Sequence, residues 1–267
     1  MADRTDPGTD PRLVLVIGIG AGDPRHITVE AIEAMNRVDV FLAVDKGEAT
    51  SDLAGLRAEL LARHVTRPYR VATTPELPRD RRPADYPGTV ADWQGRREAA
   101  YEELLDALAP GEVGGFLVWG DPALYDGTLR ILQRIGERAV AAGGRPVEVV
   151  SVPGISAVQV LAARHRLILN RIGEPVLITT GRRLAERGMP ADVPDVLVML
   201  DGGDAFLGLP DSVTAGLDIY WGAYLGLPDE VLMSGELRTV GPQIARVRAA
   251  CRARKGWIMD TYLLRRR

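Results

Sequence analysis

The chain has 267 residues, 46% hydrophobic and 26% charged, with a mean hydropathy of −0.02, which is a globular composition long enough for one large or two medium domains. Thirty-three Lys and Arg against 36 Asp and Glu leave a net charge of −3, which excludes a globally basic nucleic-acid binder. The single cysteine, Cys251, excludes a disulfide scaffold, and His26, His64 and His165 fall in no zinc-binding spacing, so no metal site is expected.

Residues 1–12 lack an aliphatic pattern and read as a disordered tail. LVLVI at 13–17 is a short apolar run ending in glycine, the pattern of a buried parallel strand. The apolar stretch continues only to 22 and holds three glycines, too short to span a bilayer. Acidic, Pro-containing residues precede it in place of a basic leader, so a cytoplasmic location is expected. A helix capped by Thr28 follows over about 28–37, then a strand at 38–44. Helical spacing covers 52–63 and 93–109, and the Pro-, Arg- and Asp-rich residues 73–89 between them read as a long loop. GGFLVW at 114–119 predicts a buried strand, 127–142 a helix, 147–152 a strand and 156–166 a helix. Strands are then expected at 176–180, 195–200, 217–221, 230–234 and 257–262. The pattern predicts an α/β protein with a parallel, Rossmann-like N-terminal sheet over 13–122 and a mixed-sheet α/β domain over 123–267.

Three strands end in glycine loops. The first, Gly18-Ile-Gly20-Ala-Gly22-Asp23-Pro24, has Asp23 where a dinucleotide fingerprint needs its third glycine, which argues against NAD or FAD. The second is Trp119-Gly120-Asp121-Pro122 and the third Pro153-Gly154-Ile155-Ser156. Each alone reads as a tight turn, and Ser156 as a helix cap. Together, at the carboxyl ends of strands, they mark the place where open α/β sheets bind ligands.

VIGIGAGDP, then WGDPALY, then VPGISA resembles the tetrapyrrole methylase family, and the resemblance runs from 13 to 262. VDKG at 44–47, LAARHRLILNRIGEP at 161–175, TTGRRL at 179–184 and VMLDG at 198–202 resemble its deacetylating branch in corrin-ring assembly. The resemblance implies a two-domain fold with S-adenosyl-L-methionine in the interdomain cleft and S-adenosyl-L-homocysteine as product. It implies methylation of a tetrapyrrole, precorrin-5, at ring carbon C1 with release of acetate, by a homodimer with no nucleic-acid or membrane partner. By motif position, Trp119, Gly120, Asp121, Leu124, Ser156, Ala157, Met199, Ala21 and Leu225 would contact the cofactor, with Asp121 near its ribose or amino-acid part. Asp45 approximates a family aspartate proposed as a base, one residue later than the usual spacing.

Methyl transfer from a sulfonium asks mainly for alignment of reacting atoms. Acetate loss asks for a general base and an oxyanion donor. Tyr125 and Asp126, just beyond the GDP loop, are candidates, as are Asp45 and His26; helix-start packing and capping is the other reading of Tyr125 and Asp126, and packing that of His165. Arginine supplies all basic residues but Lys46 and Lys255, and Arg forks suit the acid side chains of a precorrin. Arg79, Arg81 and Arg82 in the long loop, and Arg182 and Arg183 after TTG, are the substrate candidates, with ordinary solvated charge as the alternative. Eight basic residues against one acid in 246–267 read as a solvated surface. A methylase acting at another ring carbon and a non-catalytic anion-binding module remain the competing readings.

Overall fold

A computed structural model describes residues 10–45, 51–75 and 86–267. The chain divides into two units, one of residues 1–20 and 24–155 and one of Ala21–Asp23 with Ser156–Arg267.

The first unit contains β1 (Arg12–Gly18), α1 (Val29–Met35), β2 (Val40–Asp45), α2 (Ser51–His64), β3 (Arg70–Pro75), α3 (Tyr86–Asp106), β4 (Gly114–Val118), α4 (Thr128–Ala141) and β5 (Val147–Val152). The strands form one parallel sheet in the order β3-β2-β4-β1-β5. Alternate side chains leave opposite faces, so β1 builds two cores. Val14 and Val16 join Phe116 and Val118 under Leu104 and Leu105 of α3, Leu108 just after it, and Ile131 and Leu132 of α4. Leu15 and Ile17 join Phe41 and Leu117 under Ala31, Met35, Leu56 and Leu60 of α1 and α2. Helices on both faces of a parallel sheet explain why β1 and β4 are continuous apolar runs.

The second unit contains α5 (Ala157–His165), β6 (Val176–Thr180), α6 (Gly181–Arg187), β7 (Asp195–Met199), α7 (Asp211–Thr214), β8 (Leu217–Ala223), β9 (Val231–Glu236), α8 (Leu237–Lys255) and β10 (Asp260–Arg266). Its sheet has the order β6-β7-β10-β8-β9; β6 and β7 are parallel and the other pairs antiparallel. Val196, Val198, Ile219, Trp221, Tyr262 and Leu264 pack with Phe206 and with Leu237, Ile244 and Cys251 of α8.

The expected parallel and mixed sheets are both present, and Thr28 caps α1 by accepting the Ala31 N–H at 3.1 Å. The boundary expected at 122/123 lies instead at 155/156, because β5 pairs with β1 along its length and α4 packs on the first sheet. The tail is shorter than expected where it can be seen: Arg12 already pairs with Val147, while 1–9 lie outside the described residues. The loop expected at 73–89 contains the end of an edge strand, β3, and the start of α3. The run 246–267 is not all solvated surface. Most of its first half belongs to α8, and Arg248 is buried in an ion pair with Asp260 at 2.9 Å.

Candidate active site

β4, β1 and β5 are neighbours in the first sheet, so their three glycine loops emerge side by side. The backbones meet without side chains between them. A Cβ on Gly154 would lie 2.1 Å from the Gly120 carbonyl oxygen, and one on Gly18 would lie 2.6 Å from the Gly154 nitrogen. Both obstacles are backbone, so only glycine fits. Gly20 and Gly120 form an antiparallel bridge in which the Gly120 N–H donates to the Gly20 carbonyl at 2.9 Å. Both have positive φ, 85° and 70°, which a Cβ disfavours.

Asp121 joins the second loop to the third. Its Oδ2 accepts the Gly154 N–H at 2.9 Å and its Oδ1 the Ala123 N–H at 2.8 Å. Leu124 donates its N–H to the Asp121 carbonyl at 3.2 Å. Trp119 is half-buried and packs on the α1–α2 side of the sheet. The Thr28 hydroxyl reaches the Pro153 carbonyl at 3.5 Å, which also ties the start of α1 to the third loop.

Beyond this cradle, Tyr125 has φ 55° and is 45% exposed. Partial burial pushes its phenol above the ordinary value, so at neutral pH it presents an O–H donor. Asp126 accepts the Thr128 N–H on Oδ1 at 2.7 Å from just ahead of α4, whose cap position is held by Gly127 with no side-chain cap. Asp45 ends β2 opposite Pro75, and its side chain lies outside the described residues. His26 closes a short 3-10 turn, where its Cβ stands 2.6 Å from the place a Cβ on Gly20 would fill.

In the second unit, Ser156 is buried and caps α5, its Oγ accepting the Val158 N–H at 3.2 Å while its own N–H donates to Gln159 Oε1 at 3.0 Å. Ala157 is the first residue of that helix. His165 Nε2 lies 3.1 Å from the Trp221 carbonyl, and its ring meets Tyr220 edge-on, so the packing reading holds. Met199 ends β7, half-buried. Leu225 is buried against Gly222, whose Cβ would come within 2.7 Å of it, and Ala21 is buried too.

Arg182 and Arg183 are exposed at the start of α6 and pair with Glu186 at 3.8 and 3.4 Å, which is the solvated arrangement and not an open fork. Arg79, Arg81 and Arg82 lie outside the described residues.

Sequence reasoning missed a buried polar network after β7. Tyr262 donates its hydroxyl to Asp201 Oδ2 at 2.7 Å, and that carboxylate also accepts the Gly203 and Ala205 N–H groups, each at 2.9 Å. Arg248 donates to the Asp201 carbonyl and to Asp260, which also accepts the Trp221 indole N–H at 2.9 Å. Burial pushes the Asp260 carboxyl up while Arg248 and Trp221 pull it down. The network holds the turn 200–204, in which Leu200 and Asp204 both have positive φ. DGG at 201–203 was a visible turn signal; Arg248 was hidden within a basic run.

The chain is 45% identical over 257 residues to a precorrin-6A synthase [deacetylating] from Sinorhizobium sp., covering 96% of this chain and 95% of that protein. Among solved structures, a cobalamin synthesis related protein (CobF) from Corynebacterium diphtheriae superposes with a TM-score of 0.76 at 35% identity, covering 96% of this chain and 99% of that one. Cobalt precorrin-4 methyltransferase (CbiF) superposes with a TM-score of 0.60 at 15% identity over 94% of each chain, which speaks for the fold alone. The sequence profile of the tetrapyrrole (corrin/porphyrin) methylases matches residues 13–241. With that match spanning most of the chain and its three glycine loops, the chain belongs to the tetrapyrrole methylase family.

Proposed function

We propose that this protein is an S-adenosylmethionine-dependent C-methyltransferase that converts precorrin-5 to precorrin-6A, methylating ring carbon C1 and releasing acetate. One observation carries the reading: the 45% identity to a precorrin-6A synthase [deacetylating] extends over 96% of the chain. The contact among Gly18, Gly120 and Gly154 supports it, because it gathers the three loops at the carboxyl ends of neighbouring strands, where open α/β sheets bind ligands.

S-adenosylmethionine supplies an electrophilic methyl on a sulfonium. The protein's own part is to position. Gly120 and Trp119 present backbone and indole beside the cradle, and Leu124 follows on the same loop. Asp121 fixes the second loop to the third through the Gly154 N–H. This carboxylate therefore shapes the site from beneath, whatever it also offers a ribose or amino-acid group. Ala21, Ser156, Ala157, Met199 and Leu225 keep the contact roles that the resemblance gives them. Alignment of the reacting atoms can contribute roughly 7–11 kcal/mol to such a transfer.

Acetate release needs a proton acceptor and a donor to the carbonyl addition intermediate. Asp126 serves as the acceptor and the Tyr125 hydroxyl as the donor in this reading, with Asp45 and His26 as alternatives. A cytoplasmic homodimer completes the proposal. The lone buried cysteine is compatible with a reducing compartment, and among the described residues no helix is long and apolar enough to cross a membrane.

The test is a mass spectrum of precorrin-5 incubated with protein and S-adenosylmethionine. A product that gains a methyl and loses the acetyl unit, with free acetate in solution, is expected. A methylated product that keeps its acetyl group would select the second reading, methylation at another ring carbon. That reading draws on a 30% match over 142 residues to a precorrin-2 C(20)-methyltransferase from Sinorhizobium sp..

A further inference from the structure

Among the described residues the two sheets end in four edge strands, β3 and β5 in the first and β6 and β9 in the second. An edge strand offers unpaired backbone N–H and C=O groups to any other strand, and charged or proline residues are the usual protection. β3 carries Arg70 and Pro75, β5 carries Glu148, and β9 carries Glu236, which pairs with Arg267 at 2.9 Å. β6, VLITT, carries neither a charge nor a proline, and no described strand pairs with its outer side.

The same strand borders exposed apolar surface. Ile178 pairs in register with Leu197 and Val176 with Asp195, so these side chains leave one face of the sheet, while Leu177 leaves the other face into the core. Ile178 is 42% exposed, and Ile168 and Ile172, in the segment leading to β6, are 77% and 104% exposed. That segment is anchored through Asp195 on the same face. Arg171 reaches the Asp195 carboxylate at 3.3 Å, and Arg265, also paired with Asp195, donates to the carbonyls of Ile168 and Leu169 at 2.8 and 3.0 Å. Three isoleucines are thus held out from a fixed backbone beside an uncharged edge, an arrangement that gains the isolated chain nothing.

We propose that β6 and these isoleucines form the twofold interface of a homodimer, in which β6 pairs antiparallel with β6 of a second copy. The strand's own flanks select a second copy as the partner. Matching the whole of β6 to its copy puts the twofold axis at Ile178. Ile178 then meets its counterpart, and Val176 stands opposite the partner's Thr180. Beyond the strand ends Glu174 comes opposite the partner's Arg182, one opposite-charge pair at each end, and Gly173 comes opposite Arg183, so no like charges meet. Glu174 and Arg182 are both exposed. The pairing is isologous and consumes both edges, so assembly closes at two copies. This rests on the homodimer proposed above and deepens it by naming the surface that meets.

The test is the dimer dissociation constant of the full chain, from analytical ultracentrifugation across a concentration series. The parent should be a dimer. Ile172→Glu and Ile178→Lys should each weaken it roughly 10–100-fold. Ile172 lies outside any strand and is fully exposed, so an unchanged far-UV spectrum of its variant excludes a folding defect. Glu174→Arg and Arg182→Glu singly set like charges against each other and should weaken the dimer roughly tenfold. The double variant, with the charges exchanged, should return to within about threefold of the parent, a rescue that local misfolding would not give. A monomeric parent overturns this interface and the homodimer together, and leaves methyl transfer to be judged by the product mass. A dimer that all four single variants leave intact overturns the interface alone, and the homodimer stands on another surface.

Discussion

Asp121 and Gly154, on different loops, are joined by a 2.9 Å hydrogen bond from the Gly154 N–H to Asp121 Oδ2. Through it a side chain from the end of β4 sets the height of the turn after β5. The same carboxylate holds its own loop by accepting the Ala123 N–H. Asp121→Ala would leave two backbone donors unanswered and should cost about 1–3 kcal/mol of stability. Asp121→Asn keeps one acceptor and should lose less. Chemical denaturation of both variants, with S-adenosylhomocysteine titrations beside it, checks the ranking; equal stability of Ala and parent would remove Asp121 from the architecture.

Gly154→Ala should be worse than its single added carbon suggests. The Cβ would meet the Gly120 carbonyl at 2.1 Å, a backbone atom that can move only by separating the strands. A loss of about 1–3 kcal/mol or more is expected, together with weakened cofactor binding. Gly216→Ala, where a Cβ meets nothing within 4 Å, is the control and should stay within about 0.5 kcal/mol of the parent. Melting temperatures of the two variants suffice.

Methyl transfer and acetate release should separate by mutation. Tyr125→Phe removes a neutral donor, and Asp126→Asn removes a proton acceptor while sparing the bond from the Thr128 N–H. One of the two should slow acetate release by roughly 10²–10⁴-fold with cofactor affinity intact. A methylated product still carrying its acetyl group would then accumulate, visible by mass. Parent-like acetate release from both variants would move the base to Asp45, His26 or a substrate carboxylate.

Acid stability should report on Glu98. Hydrogen bonds from Arg138 and Arg134 hold its carboxyl below the ordinary value of 4.5. A carboxyl lowered in the folded state contributes stability above its unfolded value, and that contribution disappears as pH falls through the folded value. Stability of the parent should therefore drop below about pH 4.5, and Glu98→Gln should flatten that part of the profile while costing stability at pH 7. Urea midpoints between pH 3 and 7, at about unit spacing, decide it; superimposable slopes would show that the α3–α4 pair does not contribute.

Asp195 is fully buried between Arg265, whose Nε lies 2.7 Å away, and Arg171 at 3.3 Å. Arg265 also donates to the carbonyls of Ile168 and Leu169 at 2.8 and 3.0 Å, so this pair pins the segment before β6. Asp195→Ala would leave two cations around a buried void and should cost about 3–5 kcal/mol, measured by denaturant unfolding. Arg171→Lys, at a more exposed position, should cost much less.

What was legible in the sequence follows from burial and distance. β1 and β4 were visible because a parallel strand covered on both faces is apolar without interruption. The edge strand β3, RVATTP, is mostly exposed and carries no such signature, so its last residues, 73–75, read as the start of a loop. α8 was masked by Gly241, Pro242 and its many arginines, although Leu237, Ile244 and Cys251 supply its core face. The domain boundary was misplaced because β5 comes after a long helix and a glycine turn, and nothing local shows that it returns to β1. The three glycine loops were found as separate motifs, and their order hinted at one site. Their mutual contacts and the Asp121–Gly154 bond join residues distant in sequence, which no periodicity encodes.

The placement of β1 between β4 and β5 also bears on how the polypeptide is made. Among the strands of the first sheet, the first to leave the ribosome is the one enclosed last, since Val14 pairs with Gly114 and Arg12 with Val147. Until residue 152 has emerged, an apolar strand has at least one naked edge, the kind of surface on which nascent chains aggregate. A message broken after the WGDP codons would yield a polypeptide with β4 but no β5, a sheet permanently open on that side. The cell's holding chaperones would therefore meet this protein early in translation, with its N-terminal strand as their natural handle.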